Sequence, residues 1–184
     1  IPGAFMSMLG VALLNETVIR EKITEPHLIL DRLREKIIKA LGQKGMISEV
    51  KDGIDGSIIS YDLNSKTLVY SGAFNPMYLI RDNKIIEFMG DRMTLSYQDN
   101  TPDFLRQEIK TKRKDLVYLF TDGFVDQFGG QEDKKFRRTR FKQVLLRNHK
   151  NPLAVQKEKL LDTYHAWKAN GEQVDDITVV GLKL

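Results

Sequence analysis

Near Ile54 the spacing of the hydrophobic side chains changes from a helical repeat to a strand-like alternation, and this change most constrains the fold. Upstream, Met6, Leu9, Leu13, Leu14 and Val18 recur at near-helical intervals, which predicts a buried helix over residues 3–20. A second helix is expected to open at Pro26 with Thr24 as its cap, because proline suits a first helical turn. Leu28, Leu30, Leu33, Ile37, Ile38 and Leu41 supply its apolar face, and Gly42 or Gly45 ends it. Downstream, residues 58–63 and 67–72 flank a polar turn at Asn64-Ser65-Lys66, which is a hairpin signal. Residues 77–81 and 84–88, split by Asp82-Asn83, predict another hairpin. Residues 90–103 read as loop and 104–111 as a further strand.

Leu116-Val117-Tyr118-Leu119-Phe120 is a continuous apolar run, the pattern of a strand covered on both faces. It stops at Thr121-Asp122-Gly123. Helices are predicted over residues 134–148 and 152–168, the second introduced by Asn151-Pro152. Residues 177–182 read as a last buried strand, directly preceded by Asp175-Asp176. The 184 residues suit one domain, with no repeat or low-complexity linker, so the reading is a single α+β domain over 1–184 with a sizeable antiparallel sheet. The chain opens on Ile1-Pro2-Gly3-Ala4-Phe5-Met6, an apolar stretch without an initiator methionine, and is expected to be a piece of a longer protein.

The absence of cysteine excludes disulfides, thiolate nucleophiles and thiolate metal sites. His27, His149 and His165 lie too far apart for zinc-type spacing. Carboxylates remain, and they favour Mg²⁺ or Mn²⁺. Asp122 ends one predicted strand and Asp175 begins another. If those strands are antiparallel neighbours, both carboxylates emerge at one end of the sheet, where rigid strands could fix two hard oxygen ligands. A metal pair held there could lower the pKa of a water for in-line attack on a phosphoryl group. Each residue also has a plain structural reading, since Asp-Gly after a strand is a turn signal and Asp before a strand a boundary residue.

The net charge of +4 is local in origin. Residues 134–142 read Lys-Lys-Phe-Arg-Arg-Thr-Arg-Phe-Lys, followed by Arg147 and Lys150. Phe136 and Phe141 fit one apolar helical face, so a solvated basic face is favoured over a nucleic-acid surface, and steering of an acidic partner or a phosphorylated loop is the other alternative. Leu160, Tyr164 and Trp167 fall at helical spacing and read as core, whereas His165 lacks a carboxylate partner and reads as surface. No apolar run would span a bilayer and no signal peptide is visible, so the expectation is a cytoplasmic location with no direct membrane contact.

Four stretches, in order along nearly the whole chain, resemble the bacterial sporulation-type branch of the metal-dependent (type 2C, PPM) serine/threonine protein phosphatases. Residues 1–8 resemble the helix start that follows that family's Asp-x-Thr/Ser-Gly-His-Gly segment. Lys51-Asp52-Gly53-Ile54-Asp55 and Ser71-Gly72-Ala73-Phe74-Asn75-Pro76 resemble its central hairpin. Residues 121–130, Thr-Asp-Gly-Phe-Val-Asp-Gln-Phe-Gly-Gly, resemble the metal-binding Asp-Gly motif, and Gln173-Val174-Asp175-Asp176-Ile177-Thr178 the terminal Asp-Asp-x-Thr motif. After Asp91-Arg92-Met93 the chain departs from the family's Pro-Ile-Gly and has Thr94-Leu95-Ser96.

The resemblance implies a four-layer α-β-β-α sandwich of two antiparallel sheets flanked by helices, here without its N-terminal strands. It implies two Mn²⁺ or Mg²⁺ ions bridged by Asp carboxylates, direct water attack and no phosphoenzyme. Asp122 and Asp175 would be ligands, Gly123 would let the chain turn tightly beside the metals, and Asp176 would be an alternative or outer ligand, since the Asp-Asp pair leaves the register open by one. Asp126 would serve either in an outer shell or, slightly favoured, as a helix cap, and Asp52 and Asp55 either near the site or in a turn leading to a strand. Further family carboxylates would lie upstream of Ile1, which implies that this chain alone binds metal poorly and is inactive. The expected substrate is a phosphorylated regulator of the anti-sigma-factor antagonist type. The family also implies an upstream sensor domain, membrane-anchored in some members, and a homodimer, with residues 3–20 and 25–41 as regulatory helices. The rival expectation is a non-catalytic phosphatase-like domain that binds a signalling partner.

Overall fold

Helices followed by hairpins is the order found in the computed structural model, which describes residues 3–44 and 52–184. The chain falls into two units, Ile1–Pro76 with Met89–Thr111, and Met77–Phe88 with Lys112–Leu184.

In the N-terminal unit, α1 (Gly3–Asn15) runs into a π-helical turn (Glu16–Arg20), followed by α2 (Pro26–Leu41). Strands β1 (Gly56–Asp62), β2 (Thr67–Ala73) and β5 (Gln107–Lys110) form an antiparallel sheet in the order β1-β2-β5. The Asp62 carboxylate accepts hydrogen bonds from the Asn64 and Ser65 amides, which closes the first predicted hairpin. Ile29, Leu30, Leu33 and Ile37 of α2 form the core with Ala73, Met93, Leu95 and Phe104. Each of the larger of these side chains, once buried, contributes about 1.5–3 kcal/mol. Gly42, at φ 63°, ends α2 in the left-handed conformation that glycine adopts without strain. The alternative stop at Gly45, and Ile1, Pro2 and Lys51 of the quoted motifs, lie outside the described residues.

Four expectations for this unit are corrected. The helix over 3–20 is not buried: Met6 and Thr17 are, while Phe5, Met8, Val11, Leu14 and Ile19 are exposed. Its apolar residues surround the axis, so spacing alone could not select an inward face. Glu25, not Thr24, occupies the N-cap of α2, without a side-chain cap bond. Leu28, placed on the inner face of α2, is exposed. The strand expected from Phe104 begins at Gln107, because the Phe104 and Leu105 amides turn aside to the Asp31 and Asp91 carboxylates.

In the C-terminal unit, β3 (Met77–Arg81), β4 (Lys84–Phe88), β6 (Leu116–Phe120) and β9 (Val179–Lys183) form an antiparallel sheet ordered β4-β3-β6-β9. After β6 come the short helix α3 (Gly123–Asp126), the paired strands β7 (Phe128–Gly129) and β8 (Lys134–Lys135), and helices α4 (Arg137–Asn148) and α5 (Leu153–Lys168). The core is aromatic: Phe120 and Phe141 lie 4.8 Å apart between ring centroids, Phe124 and Phe141 5.0 Å, and Tyr78 and Phe120 4.7 Å. Such tilted pairs add about 0.5–1.5 kcal/mol each beyond area burial. At the sheet margin Arg81 grips the buried Asp115 through Nε and Nη2, at 3.0 and 2.6 Å.

Two expectations change here. Lys134 and Lys135, read as the start of a helix, pair with Gly129 and Phe128 as β8, so α4 begins at Arg137. The last strand begins at Val179 rather than Ile177 and is half-exposed rather than buried. Among the described residues it pairs with β6 alone, whereas β6 lies between β3 and β9 and is covered as predicted.

Candidate metal centre

Strand β6 pairs antiparallel with β9 from Phe120↔Val179 to Leu116↔Lys183. Chain direction then requires the turn after β6 and the turn before β9 to share one end of the sheet. The first carries Asp122 and Gly123, the second Asp175 and Asp176. The backbone and side chain of Thr121 lock the two turns together beyond the ladder. Thr121 N–H donates to the Thr178 carbonyl at 3.0 Å, and Thr178 N–H donates to Thr121 Oγ1 at 3.0 Å. Thr121 Oγ1 in turn donates to the Asp176 carbonyl at 3.2 Å.

Asp122 is exposed and stands at the N-terminal boundary of α3, and its carbonyl accepts from the Asp126 amide at 2.9 Å. Asp175 and Asp176 are exposed, and Asp175 Oδ1 accepts from the Asp176 amide at 2.7 Å. Gly123 is buried, and a Cβ there would stand 2.4 Å from the Asp176 carbonyl oxygen. The glycine therefore serves close approach of two backbones at a negative φ. The structure brings Asp122, Gly123, Asp175 and Asp176 to one sheet end.

Asp126 closes α3, and its carboxylate receives Lys135 Nζ at 2.9 Å instead of capping a helix. Asp52 and Asp55 precede β1 in the N-terminal unit, where the Asp52 carbonyl accepts from Gln43 Nε2 at 2.7 Å. Part of the basic tract is employed inside its unit. Lys135 holds Asp126, Lys142 pairs with Glu87 at 2.6 Å, and Arg140 lies over the Trp167 ring at 4.5 Å. Tyr164 is buried with Leu160 and Trp167 packed against the same core, as their spacing predicted, and His165 is exposed.

A groove of about 650 Å³ lies between α5 and β6–β9, lined by Tyr118, Leu153, Leu160, Ile177 and Val179. None of the candidate carboxylates lines it. Among the described residues no group of three His, Asp or Glu converges as a ready-made metal cage. The exposed carboxylates nevertheless fit a hard divalent cation in kind. Mg²⁺ in particular keeps several waters and is held by one or two carboxylates.

Sequence reasoning did not single out Thr121 or Gln127. Thr121 gave no signal beyond adjoining Asp-Gly, and Gln127 is a polar residue among Phe124, Val125 and Phe128 with no spacing that marks it.

Comparison with known proteins matches the family described as stage II sporulation protein E (SpoIIE) over residues 1–184. No curated protein sequence matches. Among solved structures, the fold is similar to the SiaA-PP2C domain of Pseudomonas aeruginosa, with TM-score 0.87 and 26% identity over 100% of this chain and 71% of that one. It is also similar to the phosphatase domain of the cell fate determinant SpoIIE from Bacillus subtilis, presoaked with Mn, with TM-score 0.56 and 16% identity over 95% and 73%. The serine/threonine phosphatase PstP/Ppp of Mycobacterium tuberculosis matches with TM-score 0.61 and 16% identity over 97% and 81%. The arrangement of antiparallel sheets and helices is that of the PP2C fold.

Proposed function

Because the chain belongs to the SpoIIE family of bacterial PPM-type, metal-dependent protein phosphatases, we propose that residues 1–184 belong to a single catalytic domain that hydrolyses phosphoserine or phosphothreonine on a regulatory protein, with further metal-holding carboxylates supplied from outside these residues. The observation that carries this reading is the β6–β9 pairing, which sets the turns bearing Asp122 and Asp175-Asp176 at one sheet end. Asp122 and Asp175 would hold Mn²⁺ or Mg²⁺, with Asp176 as the alternative ligand. When bound, the cation supplies Lewis acidity toward a phosphoryl oxygen and a nucleophile at neutral pH. The chain's own part is to fix the carboxylates. Thr121 ties the two turns, and Gly123 leaves room for the Asp176 backbone. Lys135 pairs with Asp126 at 2.9 Å.

The substrate we propose is a small phosphorylated regulator of the anti-sigma-factor antagonist type, acted on within a protein that also carries a sensor and forms a homodimer. No helix among the described residues is long and apolar enough to cross a membrane. A second reading, a phosphatase-like domain that binds a signalling partner without catalysis, is favoured by the lack of three converging ligands among the described residues.

The test is Mn²⁺-dependent hydrolysis of a phosphoserine peptide by the full-length protein and its Asp122→Asn and Asp175→Asn variants, beside residues 1–184 alone, which are expected to be inactive. Each variant is expected to lose activity by at least about 100-fold, the scale of misplacing one reacting group. Metal-independent partner binding without hydrolysis would favour the second reading.

A further inference from the structure

Gln127 is 1% exposed, and every hydrogen-bonding position of its side-chain amide is occupied. Its Nε2 donates to the Glu172 carbonyl at 2.8 Å and to the Phe128 carbonyl at 3.0 Å. Its Oε1 accepts from the Tyr164 hydroxyl at 2.9 Å and from the Val174 amide at 3.4 Å. The Gln127 carbonyl accepts from the Phe136 amide at 2.9 Å and the Trp167 indole at 3.1 Å. One residue thus joins α3, the start of α4, the C-terminal turn of α5 and residues 172–174.

Those last residues lead directly into Asp175-Asp176, and Gln127 itself stands five positions after Asp122. Residues 169–178 form no helix or strand, so no ladder fixes the approach to Asp175. Thr121 holds the segment on the strand side, at Asp176 and Thr178, and Gln127 holds it on the helix side, at Glu172 and Val174. A second device steadies the same hub. Gly130 N–H donates to the Trp167 carbonyl at 2.9 Å, and a Cβ at Gly129 would stand 2.0 Å from that oxygen. A buried amide with all four bonds made is costly to disturb and specifies one arrangement of the elements around it.

We propose that Gln127 is the positioning residue of the metal centre, clamping the Asp175-Asp176 segment at its working separation from Asp122. This rests on the metal-site reading given above. Gln127 touches neither substrate nor cation; it acts through the backbone of residues 172–174. Partners that orient metal ligands from outside the coordination shell alter metal affinity by about 10–100-fold.

The experiment is calorimetric titration of the full-length protein with Mn²⁺ as the probe, for the parent, Gln127→Met, Tyr164→Phe, Asp122→Asn and Asp175→Asn, below every variant's thermal midpoint. Amide hydrogen exchange at Val174 is followed in parallel. Gln127→Met keeps length and apolar bulk while removing both donors and both acceptors. It is expected to weaken Mn²⁺ binding by at least about tenfold and to speed Val174 exchange. Tyr164→Phe removes one bond to the same amide oxygen, and smaller shifts of the same sign are expected. It remains the deciding variant if Gln127→Met does not fold. A Mn²⁺ affinity within twofold of the parent in the folded Gln127 and Tyr164 variants, while the Asp variants lose binding, overturns the inference and leaves the metal site standing. Mn²⁺ binding unaffected by the Asp122 and Asp175 substitutions overturns both.

Discussion

Gly123→Ala adds one methyl group at the closest approach between the two carboxylate-bearing turns. The new Cβ would begin 2.4 Å from the Asp176 carbonyl oxygen and 3.0 Å from its carbon. Ordinary van der Waals contact starts at 3.4 Å, so the Asp176 backbone must retreat by about 1.0 Å. It has little freedom to do so, because its carbonyl is held by Thr121 Oγ1, Thr178 is bonded to Thr121, and the β9 ladder starts at Val179. Overpacking of this kind costs about 1–3 kcal/mol. The functional loss should be larger than the stability loss, since sites of this kind tolerate about 0.5 Å of misplacement and a 1 Å error can cost about 100-fold. Urea unfolding, Mn²⁺ titration and phosphopeptide hydrolysis of the variant would be compared with Gly56→Ala, where an added Cβ meets nothing within 4 Å. The expected pattern is a stable fold, weakened Mn²⁺ binding and about 100-fold lower hydrolysis for Gly123→Ala, with Gly56→Ala near parent in all three. Parent-like metal binding and turnover in Gly123→Ala would refute the claim that this glycine sets the separation of the turns.

Two further outcomes concern stability. Arg81→Met leaves the buried Asp115 carboxylate without its guanidinium, and the loss should be about 3–5 kcal/mol in urea unfolding. Burial alone would raise the Asp115 pKa, but Arg81 and the Lys112 amide outweigh it and hold the carboxyl below its usual range. Its contribution is therefore present above the unfolded pKa near about 4 and is lost as pH falls through the lower folded value. The parent's acid-side decline should flatten in Arg81→Met, and an unchanged slope would contradict the assignment. On the alkaline side, burial holds Tyr70, Tyr78 and Tyr118 above the ordinary tyrosine value, Tyr118 at about 12. Unfolded tyrosines ionise near about 10, so stability should fall as pH rises beyond that, and these three phenols should appear in ultraviolet titration only as the chain unfolds. Free ionisation of all six tyrosines with the fold intact would exclude it.

How far the sequence could be read follows from the range of each interaction. The hairpins at 58–72 and 77–88 were legible because their turns are closed by neighbours a few positions away, as Asp62 closes the first. Strand β6 was legible because five apolar residues in a row leave no solvent face. Helix α1 misled for the opposite reason: a helix apolar all round carries no mark of which side is covered. At the site, Asp122 and Asp175 could be named from strand ends and from the family resemblance, but Gln127 could not. Its partners at Tyr164 and Glu172 lie 37 and 45 positions away, and no local spacing encodes them.

By itself the sequence determined the period of each element, the turns that join near neighbours, and a chemistry restricted to oxygen ligands by the absence of cysteine and the scatter of three histidines. Those properties depend on residues within one or two helical turns or one hairpin of each other. Only the tertiary structure decided that β9 pairs with β6, that Asp126 belongs to Lys135, and that a buried amide ties α5 to the segment before Asp175. Each of these joins groups distant in the chain, and their choice of partner rests on burial and hydrogen-bond satisfaction that exist only once the unit has packed.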